Sequence, residues 1–264
     1  VGVIVSLSQS STEFITGEWC SFALCYLATN PQCPEDTLQQ AILPCLIKLC
    51  KNSSSRAKYF CSSAFAFITL LKDIDTSEAI DPLVNMLQSV DEDDTKNNCI
   101  TSLYNSADVD ENCSAMLEAG VLEPLLELTS SNNVQTRIEC AAILCRLSLQ
   151  TSYYGEFEKA NVLKILLDLS SLDHILTQRR VVISLSNLSA DDRLRRQLFK
   201  LDPIPYIIPL AAKRDENLRR GCVSIVCNLS SEYGTEQQIV EAGIIETLLI
   251  TAMISSDQLQ TKVI

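Results

Sequence analysis

The sequence predicts an all-α solenoid, a stack of helical repeats, and three observations predict it. A block of nine residues recurs about every 41 positions. Within the best-formed block the apolar residues Cys140, Ile143, Leu144 and Leu147 fall at i, i+3, i+4 and i+7. That is helical spacing, and strand alternation is absent. A unit of this length cannot bury enough apolar surface alone, so neighbouring units must stack into one continuous core.

The elements follow in order. The block Cys140-Ala141-Ala142-Ile143-Leu144-Cys145-Arg146-Leu147-Ser148 returns 41 residues on at Val181 to Ser189, and again at Cys222 to Ser230. Earlier copies open at Cys99, Cys61 and Cys20. Each copy reads as the last helix of a repeat. A second apolar helix repeats in step: Leu46 to Leu49, Leu83 to Leu87, Leu125 to Leu128, Leu166 to Leu169, Ile207 to Leu210 and Leu248 to Ile250. Just upstream stand Ala41, Ala79, Gly120, Asn161, Asp202 and Gly243. Gly, Asn and Asp tolerate a left-handed backbone, so four of these six predict a sharp break. Pro44, Pro82, Pro124 and Pro205 follow the turn, where a proline costs a helix little. A shorter polar helix precedes it, as in Glu111 to Ala119 and Thr235 to Ala242. About six repeats result, one solenoid over 1–264, with approximate bounds 1–28 (partial), 29–70, 71–107, 108–149, 150–190, 191–231 and 232–264 (partial). Repeat 3 is three residues short, leaving Asp73 to Ala79 little room for a first helix. Because both ends cut through a repeat, the chain is expected to be a fragment. Val1 to Leu7 carries no signal-peptide pattern.

Composition narrows the function. The chain has 264 residues, 21 Lys+Arg against 33 Asp+Glu, and a net charge of -12. That argues against nucleic-acid binding and against attraction to anionic lipid. The longest apolar runs, such as Ala64 to Leu71, are too short to span a bilayer. One His and 7 Gly leave little material for His chemistry or phosphate loops. No Walker loop, G-x-G-x-x-G or G-x-S-x-G is present, so no catalysis, no cofactor and no metal are expected. None of the 12 Cys has C-x-x-C spacing. Cys20, Cys61, Cys99, Cys140 and Cys222 share one core position and act as small hydrophobes. Cys25, Cys145 and Cys227 share a second position as small fillers. Cys33 and Cys113, in less regular segments, are the thiols expected to be more reactive. This usage suits a reducing, intracellular compartment. His174 and the run Asp91-Glu92-Asp93-Asp94 fall in inter-helix loops, the acidic run capping the next helix.

The repeat resembles the armadillo repeat. Asn187-Leu188-Ser189 and Asn228-Leu229-Ser230 match its third-helix ending. Met116 to Leu122 and Gln238 to Ile245 match its first-helix-to-turn signature. HEAT repeats lack both features. The resemblance implies a right-handed superhelix whose third helices line a concave groove that binds extended peptides, as scaffolds and adaptors of the β-catenin or vacuolar-armadillo kind do. The import-receptor branch, importin-α, carries Trp four residues before the Asn. Here those positions hold Thr101, Ile183 and Ser224, so basic nuclear-localisation peptides are not expected.

At 100° per residue, the positions equivalent to 135, 138, 139, 142 and 146 face away from the core of each third helix. The last of these gives Tyr26, Phe67, Asn105, Arg146, Asn187 and Asn228. An Asn amide can pair with a peptide's own C=O and N–H. The alternative is that each Asn ties its helix end to the following loop. Arg179, Arg180 and Arg220, with Arg146 one repeat earlier and Arg219 alongside, form a basic patch suited to carboxylates or phosphates. The alternative is that each pairs with an acidic neighbour. Trp19, Tyr26, Tyr59, Phe60 and Phe67 gather in repeats 1 and 2 as an aromatic anchor, unless a loop or an upstream repeat covers them. The function expected is a non-catalytic, cytoplasmic scaffold or adaptor binding an extended acidic, apolar-acidic or phosphorylated protein segment. The alternatives are a structural subunit of a ciliary or cytoskeletal assembly using its convex surface, or the substrate-binding arm of a larger protein such as a ubiquitin ligase. Composition does not set the oligomeric state.

Overall fold

The computed structural model describes residues 1–10, 14–51, 54–231 and 240–241, and among these the chain forms helices and no strand. It divides inside a helix, between Ile143 and Leu144, into two compact units. The last repeat signature, Thr235 to Ile250 with its turn at Gly243, lies outside the described residues apart from Val240 and Glu241.

In the first unit, α1 (Gly2–Ser10) packs on α2 (Phe14–Ala28). A short α3 (Glu35–Thr37) leads through a π-helical turn, Leu38–Ile42, into α4 (Leu43–Leu49). Then come α5 (Ser55–Ile68), α6 (Ile80–Ser89), α7 (Asp93–Ser106), α8 (Asp110–Glu118), α9 (Leu122–Leu128) and α10 (Val134–Leu147), the helix that holds the boundary. The third helices stack, α2 on α5 and α5 on α7, and α6 backs α7 from behind. The apolar stripe is fully covered: Ala57, Cys61, Ala64, Phe65 and Ile68 of α5 are all at 0% exposure.

The second unit continues with α11 (Tyr154–Lys159), α12 (Val162–Ser170), α13 (Ile175–Leu188), α14 (Asp192–Lys200), α15 (Ile204–Ala211) and α16 (Glu216–Ser230). Here α12 lies on α13, α15 on α16, and α13 on α16.

The turns obey their residues. Gly120, Asn161 and Asp202 have φ of 79°, 55° and 48°, the left-handed region that breaks one helix from the next. At Gly120 the break is closed by Val121 N donating to Met116 O at 3.0 Å. The two alanines do not break. Ala41 sits inside the π-helical turn, so α3 runs on into α4. Ala79 is right-handed, and a 3-10 turn, Ser77–Ala79, runs straight into α6. That turn is all that shortened repeat 3 has for a first helix. Caps fix the starts. Ser54, Asp191 and Asp215 accept backbone N–H groups at the N-termini of α5, α14 and α16. His174 does the same for α13, accepting from Thr177 N, so it is a cap rather than a free loop residue. Asp93 and Asp94 stand in the first turn of α7, and Thr95 Oγ1 donates to Glu92 at 2.7 Å.

All twelve cysteines are free. The five that share the core position are buried, at 5% exposure or less. Burial pushes the Cys222 thiol up to about 12, and those of Cys61, Cys99 and Cys140 higher still. One cysteine departs from expectation. Cys113 is buried on α8, its Sγ donating to Ala107 O, so it is a core thiol and not a reactive one.

Candidate functional site

The outward faces of the third helices carry the candidate residues, and two sets of ties hold those helices together. The first set joins helix ends. Asn228 Nδ2 donates to Ser189 Oγ at 2.9 Å and to Ser186 O at 3.1 Å. Asn187 Nδ2 donates to Ser148 Oγ at 2.9 Å. Asn105 Nδ2 donates to Thr69 Oγ1 at 3.1 Å. In each case the asparagine reaches back to the hydroxyl that ends the preceding third helix. The Asn-Leu-Ser ending is therefore a two-part device: the Ser of one repeat receives the Asn of the next. Where the hydroxyl is missing, at Ala107, the following third helix carries Arg146 instead of Asn. The ties run to the neighbouring repeat, not to the following loop, and they engage the amide donors. The Oδ1 acceptor is what each amide offers to the N–H of an extended chain.

The second set joins helix starts. Arg179 makes a forked ion pair with Asp215, Nε to Oδ2 at 3.0 Å and Nη2 to Oδ2 at 2.5 Å. Asp215 is also the N-cap of α16, accepting from Leu218 N at 2.9 Å. Arg179 and two backbone N–H groups hold the Asp215 carboxyl below the usual range against the opposing effect of burial. In the first unit, Glu18 at the equivalent position accepts from Ser54, the cap of α5. Glu18 and Arg179 thus each tie to the cap of the next third helix, while Tyr59 and Arg220 at the same position are exposed. Arg219, beside it, is buried at 8% exposure. Of the arginines singled out, Arg146 and Arg220 are exposed and Arg180 is half-buried.

What remains on the outward faces differs between the units. On α13 the face reads Leu176, Arg180, Ile183 and Asn187, with Leu176 and Ile183 exposed. On α2 it reads Ile15, Trp19, Phe22 and Tyr26, at i, i+4, i+7 and i+11, with Trp19 64% and Tyr26 70% exposed. Tyr59 and Phe60 of α5 continue it. Trp19–Phe22, Phe22–Phe60 and Tyr59–Phe60 form a run of edge-to-face rings with centroids 5.2–6.3 Å apart. Phe67 is half-buried and belongs to no ring pair of this run. These faces add residues to the sequence-based set, Phe22 and Leu176 among them. Phe22 joins the two halves of the ring run, and Leu176 lies one turn before Arg180. Both occupy outward positions of the helical wheel, which was the available signal.

Large apolar side chains are covered on the second helices. None on α4, α6, α9, α12 or α15 is exposed. No cluster of His, Cys, Asp and Glu able to hold a metal occurs among the described residues. No helix among them is long and apolar enough to cross a membrane.

The Armadillo/beta-catenin-like repeat family matches residues 110–149, which hold α8, α9 and α10. No curated protein matches the sequence significantly. Among solved structures, an engineered protein superposes over 98% of this chain with a TM-score of 0.77 and 19% identity. The chain spans 66% of that protein's length. A designed armadillo repeat protein covers 86% of the chain, over 98% of its own length, at a TM-score of 0.68 and 18% identity. Another, solved in complex with the peptide (KR)4, covers the same shares at 0.64 and 17%. At these identities the likeness is one of fold.

Proposed function

We propose that this member of the armadillo-repeat family is a non-catalytic protein-interaction scaffold that holds an extended segment of a partner along the outward faces of its third helices. One observation carries the reading. From α3 to α16 the large apolar residues exposed within helices lie on third helices, while the second helices cover theirs. An assembly subunit working through its convex side would show the reverse, so the distribution supports the groove. That a designed armadillo repeat protein of the same fold holds a (KR)4 peptide supports peptide binding in general.

The partner chemistry we assign to the second unit is acidic or phosphorylated, interleaved with aliphatic residues. Arg180 lies one helical turn from Leu176 and about one from Ile183, and Arg220 is exposed on the adjoining α16. Carboxylates would meet the guanidinium groups, aliphatic side chains would meet Leu176 and Ile183, and peptide N–H groups would meet Asn Oδ1. A reducing, cytoplasmic setting fits the free thiols.

The test is fluorescence anisotropy of a labelled peptide alternating Glu and Leu, against wild type and an Arg180→Glu/Arg220→Glu variant. Arg179 stays untouched, because its loss would release the cap of α16. The reading expects salt-sensitive binding that weakens about tenfold or more in the variant. Equal affinity for both proteins would sink the acidic-segment assignment.

A further inference from the structure

The two units divide the charge unequally. Residues 1–143 hold 7 Lys+Arg against 19 Asp+Glu, whereas 144–264 hold 14 of each. The first helices show that division position by position. Counted back from the turn residues Gly120 and Asp202, α8 and α14 align residue for residue, and each has 9 residues. Each buries an apolar stripe, Cys113, Met116 and Leu117 on α8 and Leu194 and Leu198 on α14. The opposite face of α8 reads Glu111, Ser114, Ala115 and Glu118, at i, i+3, i+4 and i+7. Both glutamates are exposed, and the helix holds no Lys or Arg. The same positions of α14 read Arg193, Arg196, Gln197 and Lys200, with all three cations exposed. On α11, between them in the chain, these positions hold one charge of each sign, Glu156 and Lys159. The outward side of the first helices therefore passes from acidic through mixed to basic.

Opposite charges at equivalent positions make the faces of α8 and α14 complementary to each other. Glu111 and Glu118 are separated by about 10 Å along the helix axis, and so are Arg193 and Lys200. Two such helices laid side by side bring both pairs of opposite charges together, whichever way they run. Ser114 and Ala115 between the glutamates are short, which leaves room for the stem of Arg196. The fourth cation of α14 is already engaged, since Arg195 is buried and pairs with Asp192 at 2.6 Å. Arg193 lies 3.9 Å from Asp191, with its side chain still 64% exposed.

A second copy of this chain supplies both faces with matching spacing. We infer that α8 of one copy docks against α14 of another, so that the first helices form a self-association surface. Exposed ion pairs are each worth little, so the contact is weak and sensitive to salt, and like charges brought face to face oppose it. The inference goes beyond the peptide-binding reading and does not depend on it, because it uses no third-helix residue.

The experiment measures the mean mass of the full chain by sedimentation equilibrium at concentrations up to about 100 μM. In low salt the mass of wild type should rise with concentration to that of two copies or more. At about 0.5 M salt it should fall to that of one. Glu111→Lys/Glu118→Lys and Arg193→Glu/Lys200→Glu should each remain single copies. Each pair changes one residue at either end of its helix, so the effects on the helix dipole offset and the fold is spared. An equal mixture of the two variants should associate again, because the cationic α8 of one then meets the anionic α14 of the other. Arg180→Glu/Arg220→Glu shifts the net charge as much as Arg193→Glu/Lys200→Glu does. It should associate like wild type, so total charge is controlled and the two readings fail separately. The inference is overturned if wild type keeps the mass of one chain throughout, or if association survives either charge reversal. It is also overturned if the mixed variants stay apart, or if Arg180→Glu/Arg220→Glu abolishes association.

Discussion

Gly221 on α16 faces Val182 on α13, and replacing it with Ala tests how closely these two helices meet. A Cβ at Gly221 would lie 2.1 Å from Val182 Cγ1 and 3.4 Å from Val182 Cβ. Carbon atoms in contact normally sit about 3.5–4.0 Å apart, so roughly 1.5 Å of separation must be found. Val182 is fully buried, and a β-branched residue in a helix has one strongly preferred rotamer, so it cannot swing aside freely. Ala in a helix interior gains about 1 kcal/mol over Gly. Overpacking costs about 1–3 kcal/mol, and an overlap this deep belongs at the upper end. The net expectation for Gly221→Ala is a loss of about 1–2 kcal/mol. Val182→Ala alone removes two buried methyl groups and leaves a cavity, about 2 kcal/mol. Together the new methyl occupies space the valine vacated and the helix gain survives. The double variant should then lose only about 1 kcal/mol, where additivity requires about 3–4. Urea unfolding followed by far-ultraviolet circular dichroism would give the four free energies. A stabilised Gly221→Ala, or an additive double variant, would refute the close approach.

Other consequences concern the ties and the thiols. The Asp215 carboxyl titrates below its ordinary value of about 3.9, so the stability it contributes is complete above that pH and fades as pH falls through the folded value. Asp215→Asn should therefore be less stable than wild type at neutral pH and converge with it in acid, and a gap that stays constant down to about pH 2 would exclude the pairing. Asn228→Ala removes two hydrogen bonds between third helices and should lower stability by about 1–2 kcal/mol, read from the urea midpoint at constant slope. Under native alkylation followed by mass spectrometry, the exposed Cys227 should label first. Cys61, Cys99, Cys113, Cys140 and Cys222 should stay unmodified until the chain unfolds, and early labelling of Cys113 would place it outside the core.

The helices were legible because each rests on a local rule that the stack reinforces. Where the turn position holds Gly120, Asn161 or Asp202, the backbone breaks left-handed as the residue type predicts. Where it holds Ala41 or Ala79, the same signal implied no break, and the chain runs on through a π or a 3-10 turn. The outward faces were legible in part. Helical geometry brings Trp19, Tyr26, Tyr59, Arg180, Asn187, Arg220 and Asn228 to the outward side of their helices, because the period dictates it. The wheel does not say what an outward side chain touches next. Arg179 looked like part of a column with Arg220, yet its partner is Asp215, 36 residues away on the cap of the following helix. The Asn side chains hid a similar partner in plain view, since the Ser that ends one third helix, Ser148 or Ser189, stands 39 residues before the Asn of the next. Neither link shows in a single repeat. Both appear only when consecutive repeats are laid side by side.

Those two ties explain how similar backbones can present different chemistry. A third helix pinned at its start by a cap tie and at its end by an amide tie keeps its orientation whatever stands between. The positions between the ties are free to vary, and they do. On α13, tied at both ends, they are aliphatic with Arg180, whereas on α2 and α5 the tie positions themselves hold the aromatic residues Tyr26, Tyr59 and Phe67. A surface built this way is ordered before any partner arrives, so binding loses little to side-chain or loop ordering. Selectivity then comes from the side chains that the ties do not use and from the sign of the charge around them. The first unit holds 19 Asp+Glu against 7 Lys+Arg, while the second balances its charges and places Arg180 and Arg220 outward. An acidic segment should therefore engage the second unit and avoid the first. The Arg180→Glu/Arg220→Glu variant should weaken binding of the acidic peptide about tenfold or more, and Tyr26→Ala/Tyr59→Ala should leave it intact. Equal loss of the acidic peptide from both variants would mean that a backbone contact, and not the outward side chains, selects the partner.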